Sequence, residues 1–188
     1  MRKIVHKWFW GWDFDKEEKW LNEMAAKGLA LVSVSFCKYE FEHCLPGEYA
    51  VRMELLDHFP GHPESEQYIA FIEESGAEQA GSFSRWVYFR KNRAEGEFEL
   101  FSDNDSRIRH LKSILYLLGL IFGLNLYIFL YNLFIFSLYN NPISLIAIVN
   151  LIIALLGALG FWRLYKKKKF LEKEKEIWLY VNSWGRAK

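Results

Sequence analysis

Polar and apolar positions divide the chain into two parts of different character. Up to residue 112 charged and apolar side chains interleave, whereas residues 113–161 contain no Asp, Glu, Lys or Arg. Two apolar runs, residues 113–138 and 143–162, lie in the second part and are separated by the sequence YNNP. Because each run reaches the ~20 residues that a helix needs to cross a bilayer, the pattern predicts two membrane-spanning helices joined by a short turn.

The segment DFDKEEKWLNEMAAKG, residues 13–28, has the pattern of one half-buried helix. Asp15 and Glu18 are spaced as a capping box at its start, and Gly28 is expected to end it in a left-handed conformation. Its apolar stripe recurs at helical spacing and consists of Trp20, Leu21, Met24 and Ala25.

Strand-like segments flank this helix, and the same order then recurs. KIVHKWFW precedes the helix, LALVSVSF and KYEFEH follow it, and YAVRMELL begins a second unit. YIAFIEESGAEQAGSF matches WLNEMAAKGLALVSVSF, with Gly76 at the position of Gly28, and FSRWVY matches FCKYEF. With GEFELF as a last strand, the pattern predicts an α+β fold, a two-layer sandwich of two β-α-β-β repeats followed by a transmembrane α-helical hairpin. The alternative is chance similarity between two short helix–strand segments.

These patterns predict three regions. Residues 1–105 form the duplicated cytoplasmic α+β domain, residues 106–165 the two-helix transmembrane hairpin, and residues 166–188 a basic, amphipathic cytoplasmic tail.

Basic residues on both flanks of the apolar part predict its orientation. Arg107, Arg109 and Lys112 precede the first span, and Arg163 follows the second, whereas the connecting turn is uncharged. By the positive-inside rule both termini are therefore cytoplasmic. A run of four lysines beyond the second span is expected to contact lipid headgroups; it consists of Lys166, Lys167, Lys168 and Lys169.

The overall charge and the cysteines narrow the possible functions. The formal net charge of +1 argues against direct nucleic-acid binding, which normally requires a clear basic excess. Cys37 and Cys44 would face a reducing compartment, so they are expected to be free thiols.

Aromatic residues are more numerous than one small core requires. Four of them are expected to fill the space between the layers: Trp20, Phe41, Phe71 and Tyr88. The rings of KWFWGWDF, residues 7–14, cannot all face the same way on one strand. We therefore predict a ligand-binding or partner-binding aromatic surface that includes Trp8, Trp10, Trp12 and Trp86.

Candidate catalytic and metal-binding residues are few. DHFPGHPE contains two histidines and acidic residues, yet its spacing matches no standard metal site and suits a turn into the second helix. Cys37 and His43 are not expected to come within reach of each other as nucleophile and base. The sequence predicts no catalytic residue, no metal and no cofactor.

Small and polar residues in the two spans predict how the hairpin packs. Glycines that allow close approach are Gly119 and Gly123 in the first span and Gly157 and Gly160 in the second. Asn132 and Asn150 fall at matching depth and are expected to form a hydrogen bond across the hairpin. The alternative is that these residues face a second copy of the chain or another membrane protein.

A series of motifs carries a resemblance to a known family. DFDKEEKWLNEMAAKG, PGEY, RMELL, YIAFIEESGAE, WVYFRK and ELFSDNDSRIRH together resemble the bacterial membrane proteins of the domain of unknown function 2812 family. The resemblance implies a cytoplasmic domain tethered by C-terminal transmembrane helices. It also implies a regulatory role, because members are often encoded beside PadR-type transcriptional regulators, and it provides no catalytic residues.

The sequence thus favours a non-enzymatic regulatory or sensing module in the bacterial cytoplasmic membrane. Its cytoplasmic domain is expected to bind a protein or a small hydrophobic ligand and to be linked to a PadR-type regulator. The alternative is an accessory subunit of a membrane transport complex. The expected partners are the lipid bilayer, a transcriptional regulator or membrane protein, and a second copy of the chain.

Overall fold

A computed structural model of the chain describes residues 2–100, 104–139 and 144–185, with side chains described as far as residue 178. Contacts divide the chain into two units, Met1–Ser102 and Asp103–Lys188. The elements in chain order are β1 (Lys3–His6), α1 (Phe14–Ala26), β2 (Leu29–Ser35), β3 (Lys38–His43), β4 (Tyr49–Leu55), α2 (Pro63–Glu74), β5 (Glu78–Phe83), β6 (Trp86–Asn92), a 3₁₀ turn (Arg93–Glu95), α3 (Asn104–Tyr139) and α4 (Leu145–Gly185).

The first unit consists of two halves with the same order of elements. Residues 3–43 form a three-stranded antiparallel sheet in the order β1-β3-β2, and residues 49–92 form a second in the order β4-β6-β5. One helix follows the first strand of each half, and two long apolar helices follow the second half. This arrangement confirms the predicted α+β fold class.

The two halves also share local irregularities. A register shift interrupts the β2–β3 ladder between Leu31 and Ser33 and the β5–β6 ladder between Gln79 and Gly81. Leu31 pairs with Phe41, and Gln79 pairs with Phe89. Phe41 is therefore equivalent to Phe89, one residue later than the match of FCKYEF with FSRWVY implies. Tyr88 and Phe89 are both aromatic, so the sequence did not reveal this slip.

The start of α1 differs from the expected capping box. The helix begins at Phe14 with Asp13 as its N-cap residue, so Asp15 lies inside the first turn. A capping box requires a side chain that reaches back to the N-cap backbone, but Glu18 instead accepts a hydrogen bond from the Met53 backbone N–H at 3.1 Å. The helix ends before Gly28, whose φ of +77° is the left-handed conformation expected there.

Helix α1 of the first half covers the edge of the second sheet. The Asn22 side chain accepts a hydrogen bond from the Val51 N–H at 3.0 Å and donates one to the Val51 carbonyl at 2.9 Å. Together with the Glu18 contact to Met53, these bonds satisfy backbone groups of β4 that a free edge strand would leave unpaired. The two halves are thus joined by hydrogen bonds as well as by the chain.

The cores contain most, but not all, of the predicted aromatic residues. Phe41 and Tyr88 are buried and Trp20 is half-buried, whereas the prediction for Phe71 was wrong because its side chain is 65% exposed. Helix α2 turns its Ile69 face inward, and Phe71 lies outside that stripe.

The prediction that GEFELF, residues 96–101, forms a last strand is also wrong for residues 96–100. Residues 96–100 form no strand, and Phe101 lies outside the described residues. Phe98 is nevertheless buried, where it joins the second core together with Ile69, Val87 and Phe89.

Strands β2 and β5 approach each other closely although no ladder joins them among the described residues. A Cβ atom at Gly81 would lie 2.9 Å from the Val34 backbone nitrogen, a distance that side-chain Cβ atoms do not reach. Gly81 is therefore required for the observed separation of the two sheets.

Helices α3 and α4 are each long and apolar enough to cross a membrane. They pack closely where Gly157 faces Phe122, since a Cβ at Gly157 would lie 3.1 Å from the Phe122 Cβ. Gly119 lies near Phe161 and Gly160 is buried, but Gly123 is exposed with nothing within 4 Å of its added Cβ. The predicted turn YNNP, residues 139–142, starts at Tyr139, which is the last residue of α3, and its residues 140–142 lie outside the described residues.

The expected hydrogen bond between Asn132 and Asn150 is not formed. The Asn150 amide donates to the Ile146 carbonyl of its own helix at 2.8 Å, as a polar side chain does when no partner faces it. Asn132 instead accepts a hydrogen bond from the Ser144 hydroxyl at 3.2 Å. At the other end of the helices, the Lys175 ammonium donates a hydrogen bond to Asp105 Oδ1 at 2.5 Å.

Glu54 and Tyr68 form a polar pair in the second half. The Tyr68 hydroxyl donates to Glu54 Oε2 at 2.6 Å. Burial raises the pKa of Glu54 to about 7, although the Tyr68 hydrogen bond opposes the shift, and the nearby Asp57 charge adds to it. Glu54 therefore takes up a proton on folding at mildly acidic pH.

Gly81→Ala is expected to lower the free energy of unfolding by about 1–3 kcal/mol, because the added methyl group forces β2 and β5 apart. The matched control is Gly61→Ala, since a Cβ at Gly61 meets nothing within 4 Å. Denaturant titration of the full-length protein in detergent measures the difference. Equal stabilities of the two variants would contradict a backbone contact at Gly81.

Gly157→Leu is expected to destabilise the hairpin by about 1–3 kcal/mol, because its side chain must displace Phe122. Gly123→Leu adds the same side chain at an open position and serves as the control. The apparent melting temperature of the detergent-solubilised chain checks the comparison. A melting temperature lowered equally by both substitutions would show that Gly157 has no special place in the packing.

The raised pKa of Glu54 predicts that stability falls as pH rises from about 4.5 to 7, by up to about 3 kcal/mol. The folded protein binds this proton more tightly than the unfolded chain, so the advantage is complete at low pH and lost at high pH. Glu54→Gln should reduce the slope between pH 5 and pH 8 in denaturant titrations. The exposed Glu66→Gln variant should keep the wild-type slope, and an unchanged slope in Glu54→Gln would refute the assignment.

Candidate functional site

An irregular loop between β1 and α1 carries three of the predicted tryptophans. The strand ends at His6, so residues 7–13 do not continue it as KIVHKWFW suggested. The Lys7 N–H donates to the Cys37 carbonyl at 3.0 Å, and the Asp13 N–H donates to the Trp10 carbonyl at 2.8 Å. These bonds hold both ends of the loop and place its rings beside the β2–β3 hairpin.

Four exposed rings form a chain of edge and tilted contacts that we call the rim: Trp10, Trp8, Phe36 and Phe83. Trp8 meets Trp10 edge-on at 5.4 Å and Phe36 edge-on at 5.6 Å between ring centroids. Phe36 in turn lies 5.8 Å from Phe83 of the second half. Such pairs are favourable beyond their buried area, so the rim joins the loop to both halves.

Below the rim lies a cavity of about 140 Å³. Residues of α1, of both halves and of the loop line it, and most of its lining is aromatic. The lining rings are Trp8, Phe9, Trp10, Phe14, Phe36, Tyr39, Phe83, Trp86 and Tyr88.

A carboxylate forms part of the cavity floor. Glu17 is only 7% exposed, and its Oε1 accepts hydrogen bonds from the hydroxyls of Tyr39 and Tyr88, both at 2.7 Å. Its Oε2 accepts no hydrogen bond from any residue that the structure describes. Burial raises the pKa of Glu17, and the hydrogen bonds from Tyr88 and Tyr39 oppose this shift because they stabilise the charged form.

The two floor tyrosines keep their protons. Burial raises the pKa of both Tyr39 and Tyr88, and the neighbouring Glu17 charge raises each further. Both hydroxyls therefore stay protonated and able to donate to Glu17 throughout the physiological range.

One cationic side chain lines the cavity wall. The Lys7 ammonium lies 5.0 Å from the centre of the Phe9 ring and 4.5 Å from that of Trp20. These distances are typical of cation–π contacts.

Three of the four tryptophans predicted as a binding surface line this cavity. They are Trp8, Trp10 and Trp86, and Trp86 packs against Phe14 at 5.7 Å. Trp12 does not line the cavity, but it stacks on Trp10 at 4.9 Å with nearly parallel rings. The four predicted tryptophans thus lie close to the cavity, and Trp12 contacts the rim through its stacking on Trp10.

The floor residues Glu17 and Tyr39 were not identified from the sequence as site residues, and Tyr88 was expected only in the core. Glu17 lies in the charged run DKEEKW, which is typical of a solvated helix face. Glu17 lies four residues before Leu21, one helical turn ahead of the apolar stripe, and this spacing alone is a weak signal of burial. Only the folded contacts show that it faces two tyrosines.

The remaining predicted sites lie elsewhere. Cys37 immediately precedes β3 and His43 is its last residue, so the two lie at opposite ends of the strand, and both cysteines are free thiols. His58, His62 and Glu64 have candidate ligand atoms within 4.8 Å of one another. His62 Nδ1, however, accepts the Glu64 N–H as the cap of α2, and His58 pairs with Glu64 at 3.3 Å. The helix cap and this side-chain pair hold the three residues close together.

The four lysines predicted to contact lipid lie within α4. Lys166 lies over the Trp162 ring at 4.0 Å, and Lys168 pairs with Glu172 at 3.3 Å. Lys168 and Lys169 each lie 5.7 Å from the Tyr165 ring, and Lys167 is half-buried. Contact with lipid headgroups stays a prediction.

Comparison with known proteins identifies a family for the chain. No curated protein and no solved structure matched the chain. One family model, described as "Protein of unknown function (DUF2812)", matched residues 13–123. The match spans the cavity floor from Glu17 to Tyr88 and ends within α3, and because it covers more than half of the sequence, the chain belongs to the DUF2812 family.

Proposed function

We propose that the protein is a non-enzymatic, membrane-tethered regulatory or sensing module that binds a small hydrophobic ligand in the aromatic cavity. The observation that carries this proposal is a concave site with a buried floor and a ring-lined wall, built from both halves of the first unit. Ligand sites in proteins are typically concave, mostly apolar and equipped with a few fixed polar groups.

The dimensions favour a small molecule over a protein. A volume of about 140 Å³ is below the roughly 300–1,000 Å³ of sites for drug-sized ligands. A flat protein surface would contact the exposed rim but would not reach the buried carboxylate of Glu17. Only a ligand that enters the cavity can contact the polar groups of its floor.

The apolar helices support a position in the bacterial cytoplasmic membrane with both termini in the cytoplasm. Basic residues flank the apolar parts of α3 and α4, which is the distribution found on the cytoplasmic side. Large apolar side chains remain exposed along both helices, as lipid-facing residues would be. In this arrangement the hairpin holds the ligand-binding unit at the membrane surface.

The readout of ligand binding stays a prediction. The resemblance implies a PadR-type transcriptional regulator as the partner. A duplicated β-α-β-β origin of the two halves is consistent with their matching strand order.

An accessory role in a transport complex is the alternative function. Another helix has room to approach α3 at Gly123, where an added Cβ meets nothing within 4 Å.

Mass spectrometry of small molecules released from the full-length protein, purified from its native membrane, tests the proposal. One organic compound is expected to be enriched with the wild-type chain. Trp10→Ala and Trp86→Ala should each reduce its amount about tenfold, because each removes a ring from the cavity wall.

Trp178→Ala is the matched control, since Trp178 is an exposed ring on α4 outside the cavity. It should retain the compound at the wild-type level. Either the lack of any enriched compound or equal retention by all three variants would refute ligand binding at this cavity.

A further inference from the structure

The hydrogen bonding of Glu17 is asymmetric. Both tyrosine hydroxyls donate to Oε1, and Oε2 has no donor among the residues that the structure describes. The side chain is more than nine-tenths buried and lines the cavity. Since Glu17 lines the cavity, Oε2 is an acceptor available to a molecule bound there.

No cation of the described chain compensates the Glu17 charge. No described lysine, arginine or histidine lies within 4.0 Å of its carboxylate, and no basic group affects its ionisation noticeably. Burial without a counter-charge disfavours the charged form of Glu17, and a cation bound in the cavity would favour it. The nearest cationic wall residue, Lys7, lies over the rings of Phe9 and Trp20 instead.

The cavity wall suits a cation as well as an apolar group. Aromatic faces attract cations through their electron-rich centres, and this attraction strengthens when water is excluded. Trp86 and Phe14 lie side by side at the cavity wall, with Phe14 buried next to the floor carboxylate along α1. A negative floor beneath aromatic walls favours a positive ligand over a neutral or negative one.

We infer that the cavity binds a small organic cation with an apolar body, whose positive group lies against Glu17 and whose body contacts the rim and wall rings. This inference rests on the proposed function and specifies the chemical class of its ligand. The two tyrosines hold the carboxylate in place and leave Oε2 to face the ligand. Lys7 does not compete for this position because its ammonium lies over the rings of Phe9 and Trp20.

Three probes of similar shape and different charge test the inference. Phenyltrimethylammonium is positive, 2-phenyl-2-propanol is neutral with a hydrogen-bond donor, and benzenesulfonate is negative. Each is titrated against the full-length protein in lipid nanodiscs by equilibrium dialysis, with empty nanodiscs to correct for partition into lipid. We expect the cation to bind about tenfold more tightly than the alcohol, and the sulfonate to bind most weakly.

Glu17→Gln keeps the shape of the side chain and an acceptor for the tyrosines but removes the charge. It should abolish the preference for the cation while leaving the affinity for the alcohol within about threefold. Glu23→Gln, on the exposed face of the same helix, should change neither affinity. The comparison of probes on the wild-type chain tests the inference even if Glu17→Gln does not fold.

The outcomes separate this inference from the proposed function. Equal or tighter binding of the alcohol or the sulfonate would overturn the inference but leave a small-ligand cavity. Cation preference that persists in a folded Glu17→Gln protein would also overturn it, because the charge would then be recognised elsewhere. Failure of all three probes to bind would count against both.

Discussion

The first unit depends on the burial of one carboxylate between two tyrosines. Glu17 comes from α1, Tyr39 from the first sheet and Tyr88 from the second, so a single acceptor atom joins three elements. Burying a carboxylate is costly unless hydrogen bonds replace its water, and two phenol donors provide part of that replacement. The same contact fixes how far apart the two sheets lie around the cavity.

Other contacts between the halves are consistent with this constraint. Arg90 of β6 donates to the Leu31 carbonyl of β2 at 3.0 Å and pairs with Glu42 of β3 at 2.8 Å. Gly81 allows β2 and β5 to approach, and Asn22 bonds the outer edge of β4. Polar contacts thus connect the halves on several sides, while the aromatic cavity remains between them.

Local patterns in the sequence predicted the fold class because they depend on neighbouring residues. The apolar runs gave α3 and α4, and the spacing of Leu21, Met24 and Ala25 gave the buried face of α1. The floor of the cavity was not predictable in this way. Glu17 meets Tyr39 across 22 residues and Tyr88 across 71, so its burial depends on how distant elements pack. Phe71 was misplaced for a related reason, since only packing decides which side of α2 faces inward.

Because α1 of the first half covers the β4 edge of the second, each half depends on the other for its hydrogen bonds. Asn22 and Glu18 of the first half supply acceptors that the backbone of the second half lacks on its own. Expressed separately, the second half would expose a β4 edge open to pairing with other chains, and the first would leave Asn22 without its backbone partner. The connection at residues 44–48 is therefore not a domain boundary. A chain cut there should remain a single noncovalent body, because the two halves act as one folding unit.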